Sequence, residues 1–145
     1  MRGLIAFIGS RALFARADPL RAPPLSSSKV ALVTSSAIHL QSDPAFRPME
    51  LGFRTIPGDV DFADLAQSHV SSNFDRAGFQ LDPNVVFPLD RLRDLEASGL
   101  IGGVAERHYS FVGAQANIGA LESVGHEMGR LMREEGVDVA LLVPV

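Results

Sequence analysis

The chain has 145 residues, of which 46% are apolar and 21% charged, the balance of one ordinary globular domain that can hide about 70% of its unfolded surface. A formal net charge of −4 without a basic run argues against nucleic acid as the main partner. The lack of any cysteine excludes a disulfide framework, a Cys-ligated zinc and a thiol nucleophile within these residues.

Residues 1–17 carry Arg2, Arg11 and Arg16 and no acid, around the short apolar patch LIAFI at 4–8. A secretory signal and an amphipathic arm or misassigned start both fit. The patch is broken by Gly9, Ser10 and Arg11, which favours the arm, and it is too short to span a membrane. Three prolines and a Ser26-Ser27-Ser28 run make residues 18–28 a linker. The chain thus divides into an arm and linker over 1–28 and one α/β domain over 29–145.

KVALVT (29–34) is short, apolar and β-branched, the pattern of a buried parallel strand. A polar loop over 35–46 follows and holds His39 and Asp43. FRTI (53–56) is a second short strand, stopped by Pro57-Gly58. Residues 68–84 read as irregular, and VVF (85–87) as another strand or a buried approach to a helix. The clearest helix covers 88–98. Leu89, Leu92 and Leu95 share a face there, and Gly99 stands at the C-cap position.

Residues 103–111 return as a strand. A longer helix is expected over 117–135, with Ile118, Leu121, Val124, Met128, Leu131 and Met132 on one face and Gly136 ending it. VDVALLV (137–143) is a final buried strand. This alternation predicts an open parallel, Rossmann-like sheet with flanking helices, truncated after its last strand. Sites in such sheets lie beyond the carboxyl ends of the strands, which selects the loop at 35–46 and whatever follows Val143.

Common motifs are missing. GLIGG (99–103) follows a helix with the wrong spacing for a dinucleotide fingerprint, and Arg130 stands where a zinc-protease helix opened by His126-Glu127 needs its second His. No P-loop and no GxSxG elbow is present.

The stretch 68–92, SHVSSNFDRAGFQLDPNVVFPLDRL, is dense in polar groups yet runs straight into an apolar helix start. It resembles the signature of the glycine/sarcosine/betaine reductase selenoprotein B family, which includes D-proline reductase relatives. VALVTSSAIH (30–39), IPGD (56–59) and the stretch 99–113 with RHYSF (107–111) are similar to further family segments in the same order. Residues 137–145 are similar to the strand preceding the family's redox motif.

The resemblance implies reductive cleavage of a C–N bond in a small amino-acid-like substrate, with electrons from dithiols through thioredoxin-like or other reductase subunits. It implies cytoplasmic location, no membrane association and a possible oligomer. It also implies a selenocysteine or cysteine just after Val145. The cysteine-free chain holds neither, so it is expected to be inactive by itself. A UGA codon read as stop, a fragment or a natural loss of activity would each account for this. A non-catalytic small-molecule-binding or partner subunit is the alternative.

His69 and His108 are the candidate catalytic groups. His39, Asn73, Asp75, Arg76 and Tyr109 are the candidate substrate-binding groups: Arg76 offers a fork to a carboxylate, Asp75 a counter-charge to an ammonium, and His39 a proton donor or acceptor at the functional edge. Each has a structural alternative, His39 as a loop cap, Asp75 as a loop tie, Tyr109 as a hydroxyl pinned to backbone. No pair of ligands has metal-binding spacing.

Overall fold

The computed structural model describes residues 20–69, 76–113, 115 and 118–145. Seven strands and three α-helices are found among them: β1 (Lys29–Thr34), β2 (Ile38–Leu40), β3 (Phe53–Pro57), β4 (Leu65–Gln67), α1 (Arg76–Leu81), α2 (Leu89–Ala97), β5 (Gly103–Val104), β6 (Arg107–Phe111), α3 (Leu121–Glu135) and β7 (Val139–Val143).

β1 is the centre of the sheet. It pairs in parallel with β7 along its whole length on one side, and with β5 and then β6 on the other. Between those last two registers β1 advances from Val30 to Val33 while its partner advances from Val104 to Tyr109, so two extra residues bulge out. The carboxylate of Glu135, at the end of α3, closes the bulge by accepting the backbone N–H groups of Glu106 and Arg107 and, at 3.0 Å, Arg107 Nε.

The expected open parallel sheet is not what forms. β3 lies antiparallel on β6, Phe53 facing Phe111 and Pro57 facing Arg107, and β2 and β4 make a separate antiparallel pair. The reason is a missing crossover. A parallel neighbour requires the chain to be carried back to the sheet's starting end, usually by a helix. No helix separates β1 from β3, so the chain leaves β1 at its carboxyl end and β3 runs back from there. The only described connection of crossover type within this part of the sheet is α3, which returns the chain from β6 to β7.

Helices do flank both faces. Leu89 and Leu92 of α2 pack with Val30, Leu32, Ile56 and Phe87. Met128 of α3, with Val124, Leu131 and Met132, covers Val33 and Tyr109 on the other face. Both helices end as their sequences predict: Gly99 (φ 73°) and Gly136 (φ 74°) take the left-handed conformation, and the following N–H reaches back to Leu95 O and Met132 O. Helix α3 starts at Leu121, later than expected, and 85–87 is the tail of a 3-10 turn with Val86 and Phe87 buried, not a strand.

The two sheet edges differ. β3 carries Arg54 and ends in Pro57, residues that discourage further pairing. β7 reads VALLV, pairs only with β1 among the described residues, and leaves Leu141 42% and Leu142 68% exposed. Among the described residues no helix is long and apolar enough to cross a membrane.

Candidate functional site

The carboxyl ends of β1, β6 and β7 meet at the segment after Thr34. Ser35 N donates to Val143 O at 3.2 Å and Gly113 N to Ser35 O at 3.1 Å. The Ser35 hydroxyl accepts Val145 N at 2.9 Å and faces Val145 O at 3.4 Å. Gly113 permits this junction, because a Cβ there would stand 2.6 Å from Ser35 Cβ. Ser36 accepts a hydrogen bond from Thr34 Oγ1 at 2.9 Å, with both side chains fully buried.

Ala37 is the pivot between β1 and β2. It is fully buried and has φ 55°, a left-handed conformation unusual for a residue with a side chain. Its carbonyl accepts Ser68 N at 3.0 Å and its N–H donates to Phe111 O at 3.1 Å. The turn delivers His39, 4% exposed, onto β2 with both ring nitrogens engaged: Nδ1 lies 2.7 Å from Leu40 O and Nε2 2.7 Å from Ser68 Oγ. A carbonyl can only accept, so Nδ1 carries the proton and Nε2 accepts from the Ser68 hydroxyl. The Phe46 ring stands edge-to-face with it, centroids 6.0 Å apart, and in turn lies under the Arg54 guanidinium at 4.3 Å. His69, buried at 6%, follows Ser68 directly.

His108 and Tyr109 occupy opposite faces of β6, and both are fully buried. His108 Nδ1 accepts Leu32 N at 2.9 Å, so its proton rests on Nε2, which has no hydrogen-bond partner among the described residues. Phe87 meets the ring edge-on at 5.6 Å. Burial drives the His108 pKa down from 6.5 to about 4; Glu135 opposes the shift and Arg93 adds to it. The Tyr109 hydroxyl also lacks a partner among the described residues, its ring packs against Phe53 at 5.7 Å, and burial raises its pKa.

The structure therefore sets His39 against Ser68 at the carboxyl edge, with the buried His69 next in the chain, and places His108 and Tyr109 within the core on opposite faces of β6. Asn73 and Asp75 lie outside the described residues. Arg76 opens α1, with its side chain outside the description. Ser35 and Ser68 were not singled out by the sequence reading. The signal available for Ser35 was its place immediately after a parallel strand, and for Ser68 its place at the head of the signature stretch.

Described residues also line two open clefts elsewhere. The larger, about 770 Å³, is lined by Asp59, Glu96 and Glu106 around Arg93. That guanidinium is already committed to Asp90, Gly58 O and Val60 O. The smaller, about 450 Å³, runs between Asp43, Arg54 and Arg107. Among the described residues no three His, Asp or Glu side chains gather in a metal-ligating group.

A family model for glycine/sarcosine/betaine reductase selenoprotein B matches residues 13–144, a range that begins within the segment read as an arm. Among curated proteins, the chain is 34% identical to the D-proline reductase subunit gamma of Acetoanaerobium sticklandii, over 86% of this chain and 54% of that one. It is 31% identical to the sarcosine reductase complex component B subunit beta of Peptoclostridium acidaminophilum, over 84% of this chain and 30% of that one. It is 27% identical to the glycine reductase complex component B subunit gamma of Carboxydothermus hydrogenoformans, over 84% and 30%. The chain thus spans about half the length of the first relative and under a third of the others. No solved structure matches.

Proposed function

Because this chain belongs to the glycine/sarcosine/betaine reductase selenoprotein B family, we propose that it is a subunit of a dithiol-dependent reductase that cleaves a C–N bond in a small amino-acid-like substrate. The observation carrying this reading is the match of one family model to nearly the whole chain. Thioredoxin-like or other reductase subunits supply the electrons. The redox selenocysteine or cysteine is supplied by residues other than these 145, which contain no cysteine, and its place is directly after Val145. Such a group acts as selenolate or thiolate, the form that attacks.

The following roles are proposed for this chain's own residues. Val145, tied by its N–H to Ser35, leads into the carboxyl edge where Ser68 meets His39 and is followed by the buried His69. His69 acts as acid or base, and Asn73, Asp75 and Arg76 receive the substrate's ammonium and carboxylate, roles that rest on the family resemblance of their stretch. His39 has both nitrogens occupied and reaches substrate through the Ser68 hydroxyl. His108 and Tyr109 hold the two faces of β6 from inside the core and support the edge rather than touch the substrate.

The test is a turnover assay with dithiothreitol and glycine, sarcosine, betaine or D-proline, on the 145-residue chain and on the product of its gene read through the codon after Val145. Turnover by the longer product alone supports the reading. Turnover by the cysteine-free chain overturns it. A second reading, a non-catalytic ligand-binding or partner subunit, is favoured by the cysteine-free composition and gains if neither product turns over while both bind substrate.

A further inference from the structure

Ser68 and His39 satisfy, without any recognised hydrolase motif, the geometry of an activated hydroxyl. The Nδ1–H of His39 is fixed by Leu40 O at 2.7 Å, which leaves the Nε2 lone pair directed at the Ser68 Oγ–H, also at 2.7 Å. This is a nucleophile, a base and a group that orients the base, in contact order. His39 is shielded from water, whereas Ser68 is only half-buried, so an incoming reagent meets the serine and not the imidazole. The Ser68 backbone is held by the carbonyl of Ala37, the buried non-glycine residue at φ 55°. Strain of that kind persists where surrounding structure imposes it, and such positions cluster at functional sites. The pair lies at the carboxyl edge of the parallel strands, the customary location of chemistry in such sheets.

We propose that Ser68 is an acyl-accepting nucleophile with His39 as its general base, acting on activated esters. In the step, Ser68 Oγ bonds to the ester carbonyl carbon while its proton passes to His39 Nε2. The imidazolium is stabilised by the Leu40 carbonyl, the bond from the carbonyl carbon to the leaving oxygen breaks, and the proton departs with the leaving alcohol. No electrons are exchanged, so the step needs none of the reductase machinery.

The experiment uses the 145-residue chain and p-nitrophenyl acetate. A stoichiometric burst of p-nitrophenolate is expected, with the acetyl group found on Ser68 by peptide mass spectrometry. Ser68→Ala abolishes the burst, and His39→Gln slows acylation by about 100-fold or more, the scale of a lost general base. Since His39 is buried and its replacement can unfold the chain, a second variant is decisive. The protein has no cysteine, so Ser68→Cys carries a single thiol. Pairing with His39 should make it react with iodoacetamide about tenfold faster at neutral pH than the thiol of Ser98→Cys, which is exposed. Acetylation that survives Ser68→Ala, or a Ser68→Cys thiol no faster than that of Ser98→Cys, overturns the proposal and leaves the reductase reading untouched.

Discussion

The backbone N–H of Leu32 donates to the side-chain Nδ1 of His108 at 2.9 Å, so an imidazole completes the ladder where β5 and β6 bulge away from β1. That bond exists only while His108 is neutral at Nδ1. The unfolded chain takes up the proton near 6.5 and the folded one near 4. Between those values the unfolded state binds more protons, so stability is full above pH 6.5 and falls as pH drops towards 4, by about 3 kcal/mol in all. Urea melts at pH 7 and pH 4.5 check this. His108→Leu should flatten the dependence and cost about 1–3 kcal/mol at pH 7, because Leu32 N–H loses its acceptor.

The same substitution should have opposite signs at two glycines. A Cβ at Gly102 would lie 2.5 Å from the Ser27 carbonyl carbon and 2.7 Å from Ser28 N, both backbone atoms that cannot step aside cheaply. Gly102→Ala should destabilise by about 1–3 kcal/mol. Gly125 stands in the middle of α3 with open space around it, and Gly125→Ala should stabilise by about 0.5–1 kcal/mol through helix propensity. Thermal melts of the two variants, run together, decide both.

Glu135 has a side chain 5% exposed and takes the two N–H groups that the bulge frees, together with the Arg107 guanidinium. Glu135→Ala should cost about 1.5–3 kcal/mol, since charge-assisted bonds from two backbone N–H groups and a guanidinium are lost at once. Arg107→Ala removes only the guanidinium and should cost less. The ordering of the two denaturation midpoints is the measurement.

Gly113→Ala should push Ser35 away from the end of β7, because its Cβ would meet Ser35 Cβ at 2.6 Å. The expected result is faster hydrogen exchange at Val145 N, whose acceptor is the Ser35 hydroxyl, with little change at the β1–β7 amides around Leu32. Ser35→Ala should reproduce the Val145 effect without the steric clash.

What the sequence discloses is mostly local. The run KVALVT is β1 as read, and Gly99 and Gly136 end α2 and α3 in the left-handed conformation that their positions called for. The direction of β3 was not legible, because FRTI has the same pattern whether it runs with or against its neighbour. Only the lack of a helix between β1 and β3 decides it. The role of His108 was equally hidden: its acceptor function depends on a two-residue bulge that no periodicity announces. His39 was picked out for its place in the loop after β1, which the carboxyl-end rule supplies. Its partner Ser68 comes from 29 residues further on and meets it only through the β2–β4 pairing.

The unlike edges of the sheet have a consequence at the bench. β3 is guarded by Arg54 and Pro57, while β7 offers five uncharged residues and, among the described residues, an unpaired row of backbone groups, with Leu142 largely in water. The isolated chain will then behave as a colloid whose state varies with concentration. Dilution and low salt keep it dispersed, and ammonium sulfate or prolonged storage drives strand-to-strand growth from β7. A purification that ends in a concentrated, salted-out stock selects for that growth, and an aspartate or lysine in place of Leu142 is the simplest way to keep the protein in solution long enough to study.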